Sequence, residues 1–325
     1  VCYKTPMHKR RWLIGALLVA VGIAVALVFA ARSQAYGPYW VDAKAAVSWE
    51  NPLCGELDAF RGLVKAREVK QRTDEILHAS RFLEEDPSSG LYLYETPAGK
   101  FWMPAADDLW SLSVVLAEQE HDMYGRPGRL GVRSGDVVVD AGAHVGLFAR
   151  TALAAGAGKV ITFEVTPRSN AALRRNLAKE IAEGRVVVVE KGVWHEEATL
   201  PLVVVEKCSV CNSVSHPWMK ATVDVPLTTL DRALAELKVE RVDFIKLDIE
   251  NAEANAIRGA RGTIARHHPR LAVALENSKT RLAYAHEVLG LLQEIHAGYR
   301  YSCGAVTNPE KSHRVLPEVL HFYAR

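Results

Sequence analysis

The stretch Val137-Val138-Val139-Asp140-Ala141-Gly142-Ala143-His144-Val145-Gly146 decides how the chain is read. An apolar run ends in a carboxylate, and two glycines four residues apart precede a helical pattern. The run has the composition of a strand covered on both faces. Gly142 and Gly146 let backbone come close to a ligand and let a helix pack tightly on the strand. In an open α/β sheet the ligand lies over the carboxyl ends of the strands. The spacing is not G-x-G-x-x-G, so the dinucleotide fingerprint is not satisfied.

Working outward, short β-rich runs recur at 136–140, 159–164, 185–190, 242–248 and 271–276. Helical segments separate them, near 146–155, 167–182, 229–238 and 251–266. This alternation predicts an α/β fold with a doubly wound, mostly parallel sheet. Late runs at 299–303 and 318–323 add an antiparallel C-terminal edge. Upstream, residues 56–85 read as a helix closed by Asp86-Pro87-Ser88-Ser89-Gly90. Leu91–Glu95 and Lys100–Met103 read as a hairpin about Thr96-Pro97-Ala98-Gly99, and a second helix covers 108–124. Residues 33–55, with Gly37-Pro38 and Asn51-Pro52, read as an irregular linker.

D-x-G-x-x-x-G resembles motif I of class I methyltransferases that use S-adenosylmethionine. Glu164, at the end of Val160-Ile161-Thr162-Phe163-Glu164, lies 24 residues beyond Asp140. A carboxylate there can accept both ribose hydroxyls of an adenosine. A third block runs from Val242 through Lys246-Leu247-Asp248-Ile249-Glu250-Asn251-Ala252-Glu253, followed by Ile257-Arg258-Gly259-Ala260. It resembles the signature of the FkbM family, close to K-x-D-x-E-G-x-E with a following x-x-G-A. Further likenesses are the hairpin, the helix with Glu118 and Tyr124, the Phe163-Glu164 turn, Asn176 and Thr228-Thr229-Leu230-Asp231. Together they cover about residues 90–303.

The resemblance implies a Rossmann-like methyltransferase, often acting on hydroxyls of sugars or small metabolites. Asp140, Ala141, Gly142, Ala143, His144, Gly146, Glu164 and Asp248 would then contact S-adenosylmethionine. Asp248 is the first candidate base, with His144, Glu250 and Glu276 behind it. Two departures fall near the active edge. The family's glycine after Asp-x-Glu is Asn251, which either reshapes the acceptor pocket or takes a left-handed turn as Asn can. The usual Glu-Pro is lengthened to Glu164-Val165-Thr166-Pro167. Asp248, Glu276 and Asn277 have the chemistry of an oxygen-ligand set for Mg²⁺, but no spacing demands a metal and none is assigned.

The 325 residues carry 40 basic and 38 acidic side chains, net +2, with 49% apolar residues. That is globular composition, and the small charge argues against a nucleic-acid binder. Five scattered cysteines do not read as a disulfide framework. Cys208 and Cys211 read first as two loop cysteines and second as a disulfide, and one C-x-x-C with His216 nearby is not a zinc site. Trp194 and Trp218 are assigned to core or lid.

The average hides one extreme. Twenty uncharged residues, WLIGALLVAVGIAVALVFAA, lie between Arg11 and Arg32. As a helix they cover about 30 Å, the thickness of a bilayer's hydrocarbon. A signal h-region is usually shorter, about 7–15 residues, although Ala30–Ala35 is compatible with cleavage. Lys4, Lys9, Arg10 and Arg11 precede the span, so the positive-inside bias puts the N-terminus on the cytoplasmic or matrix side. The predicted organisation is a basic flank 1–11, a transmembrane helix 12–31, a juxtamembrane linker and helix 32–89, and an FkbM-like domain 90–325. Expected partners are membrane lipid through 12–31, helices of a membrane complex along the small-residue stripe Ala16, Ala20 and Ala24, and a small-molecule or glycan acceptor. S-adenosylmethionine is made in the cytosol, which points to a mitochondrial inner membrane or a Golgi membrane. A second reading is a catalytically degenerate accessory subunit of a larger membrane complex.

Overall fold

The structure is a computed structural model. It describes residues 42–45, 53–105, 108–127, 130–205, 208–213, 223–275, 281–307 and 315–324. The predicted span 12–31 lies outside the described residues, as do His216, Trp218, Glu276 and Asn277. Among the described residues no helix is long and apolar enough to cross a membrane.

In chain order the elements begin with α1 (Glu56–Ala79), β1 (Arg81–Asp86), β2 (Leu91–Thr96), β3 (Gly99–Met103) and α2 (Leu109–Glu120). The sheet-forming region follows as β4 (Val137–Ala141), α3 (Leu147–Ala154), β5 (Lys159–Phe163), α4 (Pro167–Asn176), α5 (Ala178–Ala182) and β6 (Val186–Val189). Next come β7 (Gly192–Val193), β8 (Ala198–Leu202), β9 (Val223–Thr228), α6 (Leu230–Glu236), β10 (Phe244–Leu247), α7 (Glu253–Arg258), α8 (Arg261–His267) and β11 (Arg270–Ala274). The chain closes with α9 (Arg281–Ile295), β12 (Tyr299–Cys303), β13 (Val306–Thr307), β14 (Leu316–Pro317) and β15 (Val319–Ala324).

The central sheet has seven strands in the order β12-β15-β11-β10-β4-β5-β6. Strands β11, β10, β4, β5 and β6 are parallel, and β15 runs antiparallel to both its neighbours. The expected mostly parallel α/β sheet with an antiparallel C-terminal edge is what forms. Burial explains the composition: β4, β5, β10 and β11 are covered on both faces, and the cores on the two sides share no residue.

Several expectations need correction. The helix expected over 56–85 ends at Ala79, and Arg81–Asp86 pairs antiparallel with β2. This strand is an exposed edge rich in charge, so its composition resembles a solvated helix face. The expected boundary at 89/90 therefore falls inside one three-stranded meander, β1-β2-β3. Helix α1 also joins the folded body, since Ile76 is buried with Leu91, Phe101 and Met103. The helix expected over 251–266 is two helices broken at Gly259-Ala260. A Cβ at Gly259 would lie 1.9 Å from the Trp194 carbonyl oxygen, so backbone packs where a side chain would sit. The segment 167–182 is likewise two helices, parted at Leu177. The small sheet β7-β9-β8 and helix α9 were not anticipated.

The cysteines also depart from expectation. Cys54 is bonded to Cys303, and Cys208 to Cys211. The first pair joins the residues just before α1 to the edge strand β12, across 249 positions of sequence. No spacing rule reaches that far.

Candidate functional site

Three strands deliver the site. Strand β4 ends at Ala141, and Gly142 turns the chain at φ 78°. A Cβ at Gly142 would lie 1.9 Å from the Asp248 carbonyl oxygen. The glycine is thus required by the loop leaving β10, which crosses the bend at backbone distance. The bend is fixed on its other side by β5, because the N–H groups of Gly142 and Ala143 both donate to the Phe163 carbonyl. Glu164 completes the junction. One carboxylate oxygen accepts the His144 N–H at 2.8 Å, and the other accepts the Thr166 N–H at 2.7 Å. The lengthened turn before Pro167 thereby supplies a donor, and Pro167 opens α4 where it costs no hydrogen bond.

A cavity of about 360 Å³ lies over this edge. Its walls include Gly142, Ala143, His144, Glu164, Asp248 and Glu250, so most of the expected residues share one hollow. Asp140, Ala141 and Gly146 do not line it. Asp140 is completely buried, and Lys246 lies 3.3 Å from its Oδ1. The two residues are register partners across the β4–β10 ladder. Asp140, expected to contact the cofactor, forms a buried ion pair beneath the bend.

Lys246 is the residue that sequence reasoning missed. Its ammonium reaches Asp140, Asp248 at 3.5 Å and the Gly142 carbonyl at 2.9 Å, and it stands over the Tyr124 ring. Burial works against its charge, but Asp140 and Asp248 outweigh burial and hold the ammonium above its ordinary value. The signal was present: a lysine inside Phe244–Leu247, otherwise wholly apolar, must have a buried partner. Asp248 accepts a hydrogen bond from the Tyr124 hydroxyl at 2.6 Å as well. Two short strand-end acids are therefore held by one lysine and one tyrosine.

The other candidate bases differ. Burial, and then the Lys246 charge, push His144 down to about 3, so its imidazole is neutral at physiological pH. Its Nε2 hydrogen-bonds the Ser209 hydroxyl. Burial, and then Asp248 and Glu253, push Glu250 up to about 8. Glu250 and Asn251 both have positive φ, 52° and 71°. Asn251 thus takes the left-handed turn that a glycine would take, which Asn tolerates better than most side chains. Burial, followed by the charges of Asp248 and Glu318, pushes Glu118 on α2 up to about 8.

The segment 208–213 forms a further wall. The Cys208–Cys211 bond closes it, Ser209 N–H donates to Asp108, and the Ser213 hydroxyl donates to the Glu250 carbonyl at 2.8 Å. Among the described residues no group of three or more His, Cys, Asp or Glu is arranged to hold a metal. Several signature residues are structural. Asn176 holds both the Trp102 backbone and the Val145 carbonyl, tying β3 to the glycine turn. Thr229 caps α6, and Asp231 accepts the N–H groups of Gly262 and Thr263 at the start of α8.

Comparison with known proteins follows the same lines. Residues 140–301 match the methyltransferase FkbM domain. No curated protein matches the chain. Among solved structures, the FkbM methyltransferase of Methylobacillus flagellatus is 18% identical, with a TM-score of 0.44, over 82% of this chain and 60% of that one. This chain thus spans about 60% of that protein's length. A Streptococcus mutans protein assigned as a methyltransferase and solved in complex with SAH is 13% identical, with a TM-score of 0.36, over 60% of this chain and 91% of its own. A ribosomal protein L11 methylase from Lactobacillus delbrueckii is 10% identical, with a TM-score of 0.36, over 68% of this chain and 80% of its own. Through residues 140–301, which carry the glycine bend, Glu164 and the Lys246-to-Glu250 edge, the chain belongs to the FkbM methyltransferase family.

Proposed function

We propose that the protein is a membrane-anchored, S-adenosylmethionine-dependent methyltransferase that methylates a hydroxyl of a sugar or small metabolite. The observation that carries this reading is the convergence of Glu164, the Gly142 bend and Asp248 on one cavity over the carboxyl ends of β4, β5 and β10. That is the edge where open α/β sheets hold ligands, and about 360 Å³ falls within the range of small-molecule sites. The residues suit the cofactor. Glu164 is aimed by two backbone N–H groups, and a carboxylate has further lone pairs to accept ribose hydroxyls. Bound there, S-adenosylmethionine supplies a methyl group on a positively charged sulfur.

An alcohol must lose its proton as it attacks. Asp248 is placed to take it, with Lys246 and Tyr124 stabilising the carboxylate and fixing its direction. The neutral His144 is a poor base, and Glu250 holds its own proton at neutral pH, so these two line and position. The anchor is assigned to residues 12–31, with the folded body on the side opposite the basic flank. The Cys54–Cys303 and Cys208–Cys211 bonds support an oxidising space. A mitochondrial intermembrane space or a Golgi lumen satisfies both the disulfides and a cofactor of cytosolic origin.

Calorimetric titration with S-adenosylmethionine tests the reading. Micromolar binding is expected, weakened about tenfold or more by Glu164→Ala; no binding would leave the accessory-subunit reading. Labelled methyl transfer to sugars and small alcohols is expected from the native protein and should be lost in Asp248→Asn. Unchanged turnover in that variant removes Asp248 as the base. Protease protection in sealed membranes reports which side the body occupies.

A further inference from the structure

Helix α2 lines the cavity with Trp110, Val114 and Glu118, four residues apart and so along one face. The charged groups facing Glu118 are Asp248 after β10, Glu318 before β15, and Lys246 on β10. Cations on the helices packed against α2 are engaged elsewhere. Arg72 of α1 holds Glu120, Lys65 of α1 holds the Asp122 carbonyl, and Arg150 of α3 holds the Asn176 carbonyl. Lys246 itself is divided between Asp140 and Asp248.

Asp248 and Glu118 thus share a wall on unequal terms. Asp248 has the Lys246 ammonium and the Tyr124 hydroxyl, whereas the Glu118 carboxyl receives no hydrogen bond from any described residue. Neighbouring acids with one set of donors between them do not both ionise at neutral pH. The supported acid keeps the charge and the unsupported one keeps the proton. Burial acts in the same direction on Glu118.

We propose that Glu118 is the proton-holding member of a Glu118–Asp248 pair that carries away the proton released by the acceptor hydroxyl. This role rests on the methyl-transfer reading; the shared proton does not. In the resting site Asp248 is held by Lys246 and Tyr124 as the acceptor, and Glu118 carries the proton. As the new carbon–oxygen bond forms, the acceptor O–H breaks, its proton goes to Asp248, and the methyl's former bonding pair stays with sulfur. Neutralising Asp248 removes the repulsion that, after burial, held the proton on Glu118, and Glu118 releases it to water. Transfer of the remaining proton from Asp248 to Glu118 restores the start. One proton leaves per methyl, with no other reactant.

Infrared difference spectroscopy of the full chain tests the pair. A protonated-carboxyl band at neutral pH is expected to disappear with a midpoint near pH 8. Glu118→Gln should delete that component, and Glu118→Asp should retain it. Asp248→Asn should move the midpoint down by about one unit or more, because a like charge has gone. A midpoint indifferent to Asp248→Asn, or a spectrum indifferent to Glu118→Gln, overturns the pair even in a protein that binds S-adenosylmethionine. The expected band in a protein that does not bind S-adenosylmethionine overturns the catalytic role and the methyltransferase reading together.

Discussion

Strands β4 and β10 carry carboxylates at both ends, and the two ends treat them differently. At the amino ends, Asp136 pairs with Arg270 at 2.5 Å and accepts the Arg133 N–H. Asp243 accepts the Val137 N–H at 2.7 Å and the Arg241 guanidinium at 2.8 Å. Each acid there has its own arginine. At the carboxyl ends, Asp140 and Asp248 divide one lysine, and Glu118, Glu164 and Glu250 border the same hollow. Matched charge closes the end that only needs to hold. At the end that faces a cavity the carboxyl groups outnumber the cations, and burial keeps Glu118 and Glu250 protonated there instead of paired. Pairing that raises stability and pairing that is left unfinished thus sit about one strand length apart on the same β-strands.

The difference can be broken most severely at Lys246. Lys246→Met leaves Asp140 buried without a counter-charge, so a loss of about 3–5 kcal/mol is expected in urea unfolding. Cofactor binding should be lost with it. Arg270→Met breaks the pair at the other end and should cost about 3 kcal/mol. There, S-adenosylmethionine affinity of the folded fraction should stay unchanged; a parallel loss would mean that the two ends are not independent.

The pH dependence sharpens the comparison at smaller cost. Glu118 and Glu250 are raised from 4.5 to about 8, and Glu253 to about 7, burial being the largest cause in each. Acids raised in the fold contribute stability that is complete below pH 4.5 and is lost as pH climbs through 7 to 8. The thermal midpoint should therefore fall across that window, with a shallower fall in Glu118→Gln. The smallest effect is expected from Asn251→Gly, within about 1 kcal/mol, because Asn already adopts the required left-handed backbone. A larger gain in stability would show that the asparagine is strained.

What could be read from the sequence follows from the range of the interactions. The strand, the glycine bend and the helix after it are local events, so Val137 to Gly146 disclosed them. Glu164 lies one unit away and was legible as a strand-end acid. The orientation of Asp140 was not legible, since it is set by its register partner Lys246, 106 residues on. The residue types were visible, but not which strand would lie alongside. The end of α1 was missed because Arg81–Asp86 is charged like a helix surface while acting as an edge strand. Asn176, Thr229 and Asp231 were recognised as signature positions, but their work is to brace turns, which a pattern of letters does not distinguish from chemistry.

The bond between Cys54 and Cys303 encloses nearly all of the folded body in one covalent ring. Tension arriving along the chain from residues before Cys54 passes straight into β12, so α1 need not unravel to bear the load. A single nick anywhere inside the ring leaves both fragments tethered until a reductant opens it.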